Sequence, residues 1–128
     1  PQSLDPSSVA YFNAEVGDRV FFGTDLSTLD VEAQSTLRRQ AAWLLDNPTR
    51  TAVIDGHADE RGTREYNLAL GARRASAVRN FLVAEGVPAG RLSSVTYGKE
   101  RPEALCSAES CWSLNRRGVT VMTDGPTS

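Results

Sequence analysis

The chain has one histidine, His57, and two cysteines, Cys106 and Cys111. A catalytic zinc usually takes three protein ligands, so a resident zinc centre lacks its parts. The C-x4-C spacing is too wide for a thioredoxin-like C-x-x-C, and no second pair completes a structural zinc site. One disulfide and two reduced thiols both remain compatible with the cysteines themselves. No apolar run is long enough to cross a bilayer as a helix. There is no G-x-S-x-G, no Walker loop and no G-x-G-x-x-G, and Gly56 and Gly62 do not stand at phosphate-cradling spacing. Positive charge is not in excess: 14 Lys and Arg face 16 Asp and Glu, a net charge of −2. That removes the field that would draw nucleic acid or an acidic membrane. No basic face is interleaved with aromatics either, so nucleic acid is not expected as a partner. Repeats and low-complexity segments are absent. The chain opens at Pro1 and not at a methionine, so the lack of a leader says nothing of export.

What is present suits one folded domain. At 128 residues, a single chain buries roughly two-thirds of its unfolded surface, enough for a core without metal staples. Residues 1–18 are polar with early Pro, Ser and Asp, and predict a flexible lead-in. Residues 19–22 (R-V-F-F) predict a first strand. Ser27 or Asp30 can cap a helix whose Leu37, Ala41, Leu44 and Leu45 share one face; Asn47-Pro48 ends it. Trp43 sits off that stripe and is expected at the edge of the sheet. Residues 51–57 predict an inner strand, since both of its faces are apolar near the middle. Thr63 is placed to cap a long helix from about Glu65 to Glu85, with Leu68, Ala75, Val78 and Leu82 on one stripe and Gly86 as its stop. Residues 91–97 predict a third strand, 108–116 a short helix and 118–123 a last strand, with a frayed tail over 125–128. The order β-α-β-α-β-(short α)-β predicts an α/β two-layer sandwich. Its mixed sheet has about four strands, and both long helices lie on one face. Helical crossovers of this length are expected to join parallel neighbours.

Residues 54–75 (I-D-G-H-A-D-E-R-G-T-R-E-Y-N-L-A-L-G-A-R-R-A) gather more mixed charge than any other stretch. A polar loop at the carboxyl end of a strand, feeding a helix N-terminus, is where α/β proteins place ligands. Asn67, Leu70 and Arg74 fall on one helix face, and Arg73 is turned about 100° away. Asp59, the helix-start amides and Arg74 can therefore share a pocket, an acceptor at one place and a fork of donors at another. Such a pocket suits a zwitterion, its ammonium on Asp59 and its carboxylate on Arg74. Spacing alone does not lift this above an ordinary lattice of surface ion pairs. His57-x-Asp59 also permits a metal-dependent hydrolase, but a lone histidine ending a strand is more readily a structural one. Arg38-Arg39 is expected on the solvated face of the first long helix.

The motifs carry more than their spacing. G-H-A-D-E-R-G-T at 56–63, E-Y-N at 65–67, L-G-A-R-R-A at 70–75, Y-G-K-E at 97–100 and N-R-R at 115–117 together resemble the OmpA-like domain family. Within it they are similar to the peptidoglycan-associated lipoprotein (Pal) type rather than to OmpA porins or flagellar stator proteins. The resemblance covers about residues 20–123, within an expected domain of 19–124. It implies a non-catalytic domain that binds peptidoglycan through meso-diaminopimelate of the stem peptide, with no cofactor. It implies a periplasmic address, an outer-membrane tether through an acylated cysteine that this chain does not contain, and partners in the Tol system, chiefly the propeller protein TolB. By the matching motif positions, the ligand falls to Asp59 and Arg74, with Asp25 bordering the site and Arg61, Asn67, Leu70 and Arg116 nearby. An aromatic common before the residue matching Asp25 is here Thr24. The periplasmic address implied by the resemblance turns the cysteine alternatives toward a Cys106–Cys111 disulfide. A cell-wall anchor of another envelope machine, such as a stator or secretion component, is the nearest alternative.

Overall fold

The computed structural model describes residues 4–123. Helix α1 (Val9–Tyr11) runs on through a wider π-helical stretch, Phe12–Gly17. It is followed by β1 (Arg19–Phe21), α2 (Val31–Asp46), β2 (Ala52–His57), α3 (Arg64–Ala84), β3 (Leu92–Gly98), α4 (Glu109–Asn115) and β4 (Arg117–Met122). The expected tail, 125–128, lies outside the described residues. Of the two candidate caps for α2, Asp30 serves: its carboxylate accepts the Ala33 N–H at 2.8 Å. Thr63 caps α3 as expected, its hydroxyl accepting the Tyr66 N–H at 3.1 Å. Each cap satisfies a donor that the first helical turn leaves orphaned.

The four strands form one mixed sheet in the order β1-β4-β2-β3. β2 and β3 are parallel, and β4 runs antiparallel to both β1 and β2. The α3 crossover thus joins parallel neighbours. The α2 crossover does not, because β4 inserts between β1 and β2. The cause is length and burial. β1 has three residues and an exposed Phe21, which suits an edge. The first four residues of the longer β4 are all buried and need a neighbour on each side.

Both long helices cover the same face of the sheet. Leu37 and Leu44 of α2 meet Val78 and Leu82 of α3 over Val20 and Ile54, and all six are buried. Each buried Leu contributes roughly 1.5–3 kcal/mol. Leu45, expected on that stripe, is 46% exposed; buried Ala33 and Gln40 complete the buried face instead. Gln40 donates to the Gly17 carbonyl (2.8 Å) and accepts the Thr120 hydroxyl (2.7 Å), tying α2 to β4 through a satisfied polar contact.

The lead-in is not loose. Phe12 is fully buried and Val16 nearly so. Phe12 packs on Trp43 with ring centroids 4.8 Å apart, and the Trp43 indole donates to the Pro6 carbonyl at 2.8 Å. Trp43 therefore receives the N-terminal segment and does not sit at the sheet edge. Polar composition hid this because two apolar residues four apart suffice to dock one helical turn.

Two glycines bring α3 down onto the carboxyl end of β2. A Cβ on Gly56 would overlap the Gly71 carbonyl, and one on Gly71 would crowd the Thr96 hydroxyl and the Gly56 backbone. Without side chains there, the helix lies close enough for Arg74, one turn after Gly71, to reach the end of β2.

Candidate functional site

Arg74 is fully buried. Its Nε donates to the Leu26 carbonyl (2.8 Å), Nη1 to the His57 carbonyl (2.9 Å) and Nη2 to the Gly23 carbonyl (3.0 Å). The side chain therefore ties the turn at residues 23–26 to the end of β2. Burial, and then the nearby Arg116, bring its pKa down to about 10, so it stays protonated at neutral pH. A guanidinium has five N–H groups. Three are engaged, which leaves one on each Nη, and Arg74 lines a cavity of about 230 Å³.

Asp59 faces the same cavity and is 7% exposed. Its carboxylate accepts the Arg61 backbone N–H (3.0 Å), Arg61 Nε (3.1 Å) and Arg61 Nη2 (2.7 Å), and Arg116 Nη1 at 3.5 Å. Burial pushes its pKa up, but the hydrogen bonds from Arg61 and Arg116 outweigh that and leave it below the ordinary carboxylate value. The carboxylate is thus ionised and already paired before any ligand arrives.

Thr24, Asp25, Asp59, Arg61, Gly62, Tyr66, Asn67, Leu70 and Arg74 line the cavity. Six of the seven residues singled out in the sequence are among them. Asp25 holds a left-handed backbone (φ 59°), a conformation aspartate tolerates better than most residues. Its carboxylate accepts the Tyr66 hydroxyl at 3.2 Å. Asn67, buried, donates to the Arg61 carbonyl at 2.7 Å and so fixes the polar loop over the start of α3. Lys99 closes the loop from outside, donating to the Gly62 carbonyl at 2.6 Å. The lining carries two carboxylates and two guanidiniums, an arrangement complementary to a zwitterion.

Arg116 is the exception: it does not line the cavity. It is buried and reaches Asp59 while donating to the Phe22 carbonyl (2.8 Å) and to the Glu109 carboxylate (2.7 and 3.1 Å). Its position is that of a support for Asp59. Sequence reasoning missed the companion of this support, Trp112 on α4. The Arg61 guanidinium lies 4.0 Å from the Trp112 ring centroid, a cation–π contact. The available signal was the short separation of Trp112, on α4, from Arg116, the residue that ends that helix. Tyr66, whose N–H the Thr63 cap receives, reaches Asp25 only through the fold, across 41 residues of sequence. Cys106 and Cys111 form a disulfide that closes the start of α4. From the same segment, Ser107 donates to the Glu60 carboxylate at 2.7 Å, so α4 is pinned to the cavity loop at both ends.

His57 points elsewhere. It does not line the cavity; its ring stacks on Tyr97 with centroids 5.5 Å apart. Burial, and then Arg117, Arg101 and Arg19, depress its pKa to about 4. Cations surround it, and among the described residues no three His, Cys, Asp or Glu side chains gather as a metal site would need. His57 and Asp59 do not converge on a shared reacting position.

The OmpA family matches residues 21–116 of this chain. The peptidoglycan-associated lipoprotein of Agrobacterium fabrum is 57% identical over 120 residues, covering 94% of this chain and 68% of that protein. The protein of the same name from Mesorhizobium japonicum is 57% identical over 118 residues, covering 92% of this chain and 70% of its own length. Among solved structures, the peptidoglycan-associated lipoprotein from Burkholderia pseudomallei superposes with a TM-score of 0.85 at 38% identity, over 93% of this chain and 100% of that one. The C-terminal domain of Helicobacter pylori MotB gives 0.78 at 20% identity, covering 85% of this chain and 86% of that one, a likeness of fold alone.

Proposed function

This chain belongs to the OmpA family, in the company of its peptidoglycan-associated lipoproteins, and from that premise we propose that it grips the cell wall non-covalently by binding meso-diaminopimelate of the peptidoglycan stem peptide. The observation that carries the reading is one cavity lined by Asp59, Arg61 and Arg74, with two N–H groups of Arg74 not spent on protein carbonyls. The free end of meso-diaminopimelate bears an ammonium and a carboxylate on one carbon. The ammonium goes to Asp59 with help from Asp25, and the carboxylate goes to Arg74, with Asn67 and Leu70 shaping the floor. Arg116 holds Asp59 in place. The role is binding and not turnover.

The chain spans about two thirds of the length of its Agrobacterium relative, so statements about the longer protein belong to the same proposal. They are a periplasmic domain tethered to the outer membrane by a lipid anchor, working with TolB and the Tol system. The likeness to MotB rests on fold alone and gives no reason to prefer a stator. Co-sedimentation of the purified domain with peptidoglycan sacculi tests the reading. Wild type is expected in the pellet, released by excess free meso-diaminopimelate, with Asp59→Asn left in the supernatant. Release of new soluble fragments from the sacculi would instead favour the hydrolase.

A further inference from the structure

Among the described residues no strand pairs with the outer side of β1. The Phe22 N–H donates to the Arg116 carbonyl at 3.0 Å and the Thr120 N–H to the Asp18 carbonyl at 2.7 Å. Residues 18, 20 and 22 thus turn their backbone groups toward β4. Alternation along an antiparallel ladder then directs the N–H and C=O of Arg19 and Phe21 outward, where the sheet ends. Between this edge and the first turns of α2 lies a second cavity of about 430 Å³, lined among others by Arg19, Phe21, Glu32, Thr36 and Arg39. It shares no lining residue with the Asp59–Arg74 cavity.

The groove is charged at its two ends. Arg39 donates to the Val16 carbonyl (3.4 Å) and to the Ser35 and Thr36 hydroxyls (3.2 Å each). Among the described residues no carboxylate pairs with Arg39 and no cation pairs with Glu32. Arg39 stands by the start of β1. Glu32 lies seven residues away on α2, about 10 Å along the helix axis and about three residues of extended strand. The Phe21 side chain is 43% exposed between buried Val20 and Phe22, and strand alternation therefore turns it to the sheet face away from the helices.

We propose that this edge groove receives an extended segment of a partner protein, added as a fifth strand on β1. An acidic side chain of that segment meets Arg39 and a basic one meets Glu32. Strand addition draws its affinity from main-chain hydrogen bonds and its selectivity from flanking side chains, and both are provided here. Edges are commonly guarded by charged side chains, Pro or a bulge; among the described residues β1 has no Pro, and its one charge, Arg19, is drawn to Asp18 and Glu103. Since the two cavities are separate, the domain can hold cell wall and partner together.

The test is a titration of 15N-labelled protein with the capped peptide Glu-Thr-Val-Thr-Lys, followed by amide shifts and hydrogen exchange. Binding is expected with Kd on the order of 1 mM, with the Arg19 and Phe21 amides shifted and exchange there slowed about fivefold. Arg39→Ala should weaken binding about three- to fivefold and leave sacculus binding unchanged. Phe21→Pro, which deletes an outward donor at an edge position where proline is tolerated, should abolish it. If that variant fails to fold, the same peptide N-methylated at alternate residues replaces it and should not bind. Unmoved Arg19 and Phe21 amides, equal binding of the N-methylated peptide, or shifts confined to the open sheet face would each overturn the proposal.

Discussion

Exchanging meso-diaminopimelate for lysine in a stem peptide removes one carboxylate and nothing else, and the structure lets its effect be worked out. Arg74 spends three of its five N–H groups on the Gly23, Leu26 and His57 carbonyls. A ligand carboxylate can take the two that remain. Hydrogen bonds to charged groups are worth about 1.5–3 kcal/mol each, but in the free cavity water already satisfies part of that. A net loss of about 2–3 kcal/mol, roughly thirty- to 150-fold in affinity, is the expected penalty for the lysine peptide. Arg74→Ala is a poor probe. It leaves three carbonyls without a donor and an emptied volume besides, at a cost of several kcal/mol against a total stability of about 5–15. Arg74→Lys keeps the charge and loses the planar fork. It should bind the diaminopimelate peptide about as weakly as wild type binds the lysine peptide, and it should no longer distinguish the two. Arg73, exposed on the neighbouring helix face, should tolerate alanine with less than a twofold change. Calorimetry with matched peptides on wild type, Arg74→Lys and Arg73→Ala is the assay, with a thermal melt of each variant as control. Equal affinity of wild type for both peptides, or Arg73→Ala as damaging as Arg74→Lys, refutes the reasoning.

Three further outcomes follow from the geometry. Cys106→Ser with Cys111→Ser should lower stability by about 2 kcal/mol, the scale for closing so short a loop. It should also weaken sacculus binding, because α4 and the residue that ends it place Trp112 and Arg116 behind Arg61 and Asp59; denaturant melts and pull-downs measure the two effects. His57, kept neutral down to about pH 4 against 6.5 for the free side chain, gives the unfolded state the greater proton uptake between those values. Stability should therefore be full above about pH 6.5, fall by at most about 3 kcal/mol as pH drops toward 4, and level off below. His57→Gln should flatten that slope in chemical denaturation, and an unchanged slope would count against it. Phe12→Ala, which empties a fully buried site against Trp43, should cost about 3–5 kcal/mol; a loss under 1 kcal/mol would mean that the N-terminal segment does not belong to the core.

The long elements were legible because each carries its own punctuation. Asp30 and Asn47-Pro48 bracket α2, and Thr63 and Gly86 bracket α3. What escaped was pairing. Nothing local to residues 19–21 says that β4, nearly a hundred residues later, lies beside them and not β2. That choice is made by burial, since β4 must be covered on both edges and the short β1 need not be. The docking of Phe12 escaped for the same reason: its partner, Trp43, is contributed by α2 and was itself ambiguous.

At the site, sequence spacing put Asn67, Leu70 and Arg74 on one helix face, a local property, and Asp59 in the loop leading into that helix; all four line the cavity. It could not show how their charges are already spent. Arg74 reads in sequence as a free fork and in the fold as a brace between β2 and the turn that carries Asp25. Asp59 reads as a bare acceptor and is held by two guanidiniums. Those two differ in a way that bears on binding. Arg116 is buried, with 7% of its side chain exposed, while the Arg61 side chain is 40% exposed. An arriving ammonium can therefore displace Arg61 at small desolvation cost but not Arg116. Arg61 keeps the Trp112 face to rest on as it moves, so its charge is not left unsupported. Trp112→Ala should accordingly raise the cost of freeing Asp59 and weaken diaminopimelate binding about three- to tenfold, with Asp59 and Arg116 unaltered. The same calorimetry reads it, and a Trp112→Ala domain that binds as tightly as wild type would show that Arg61 does not need to move.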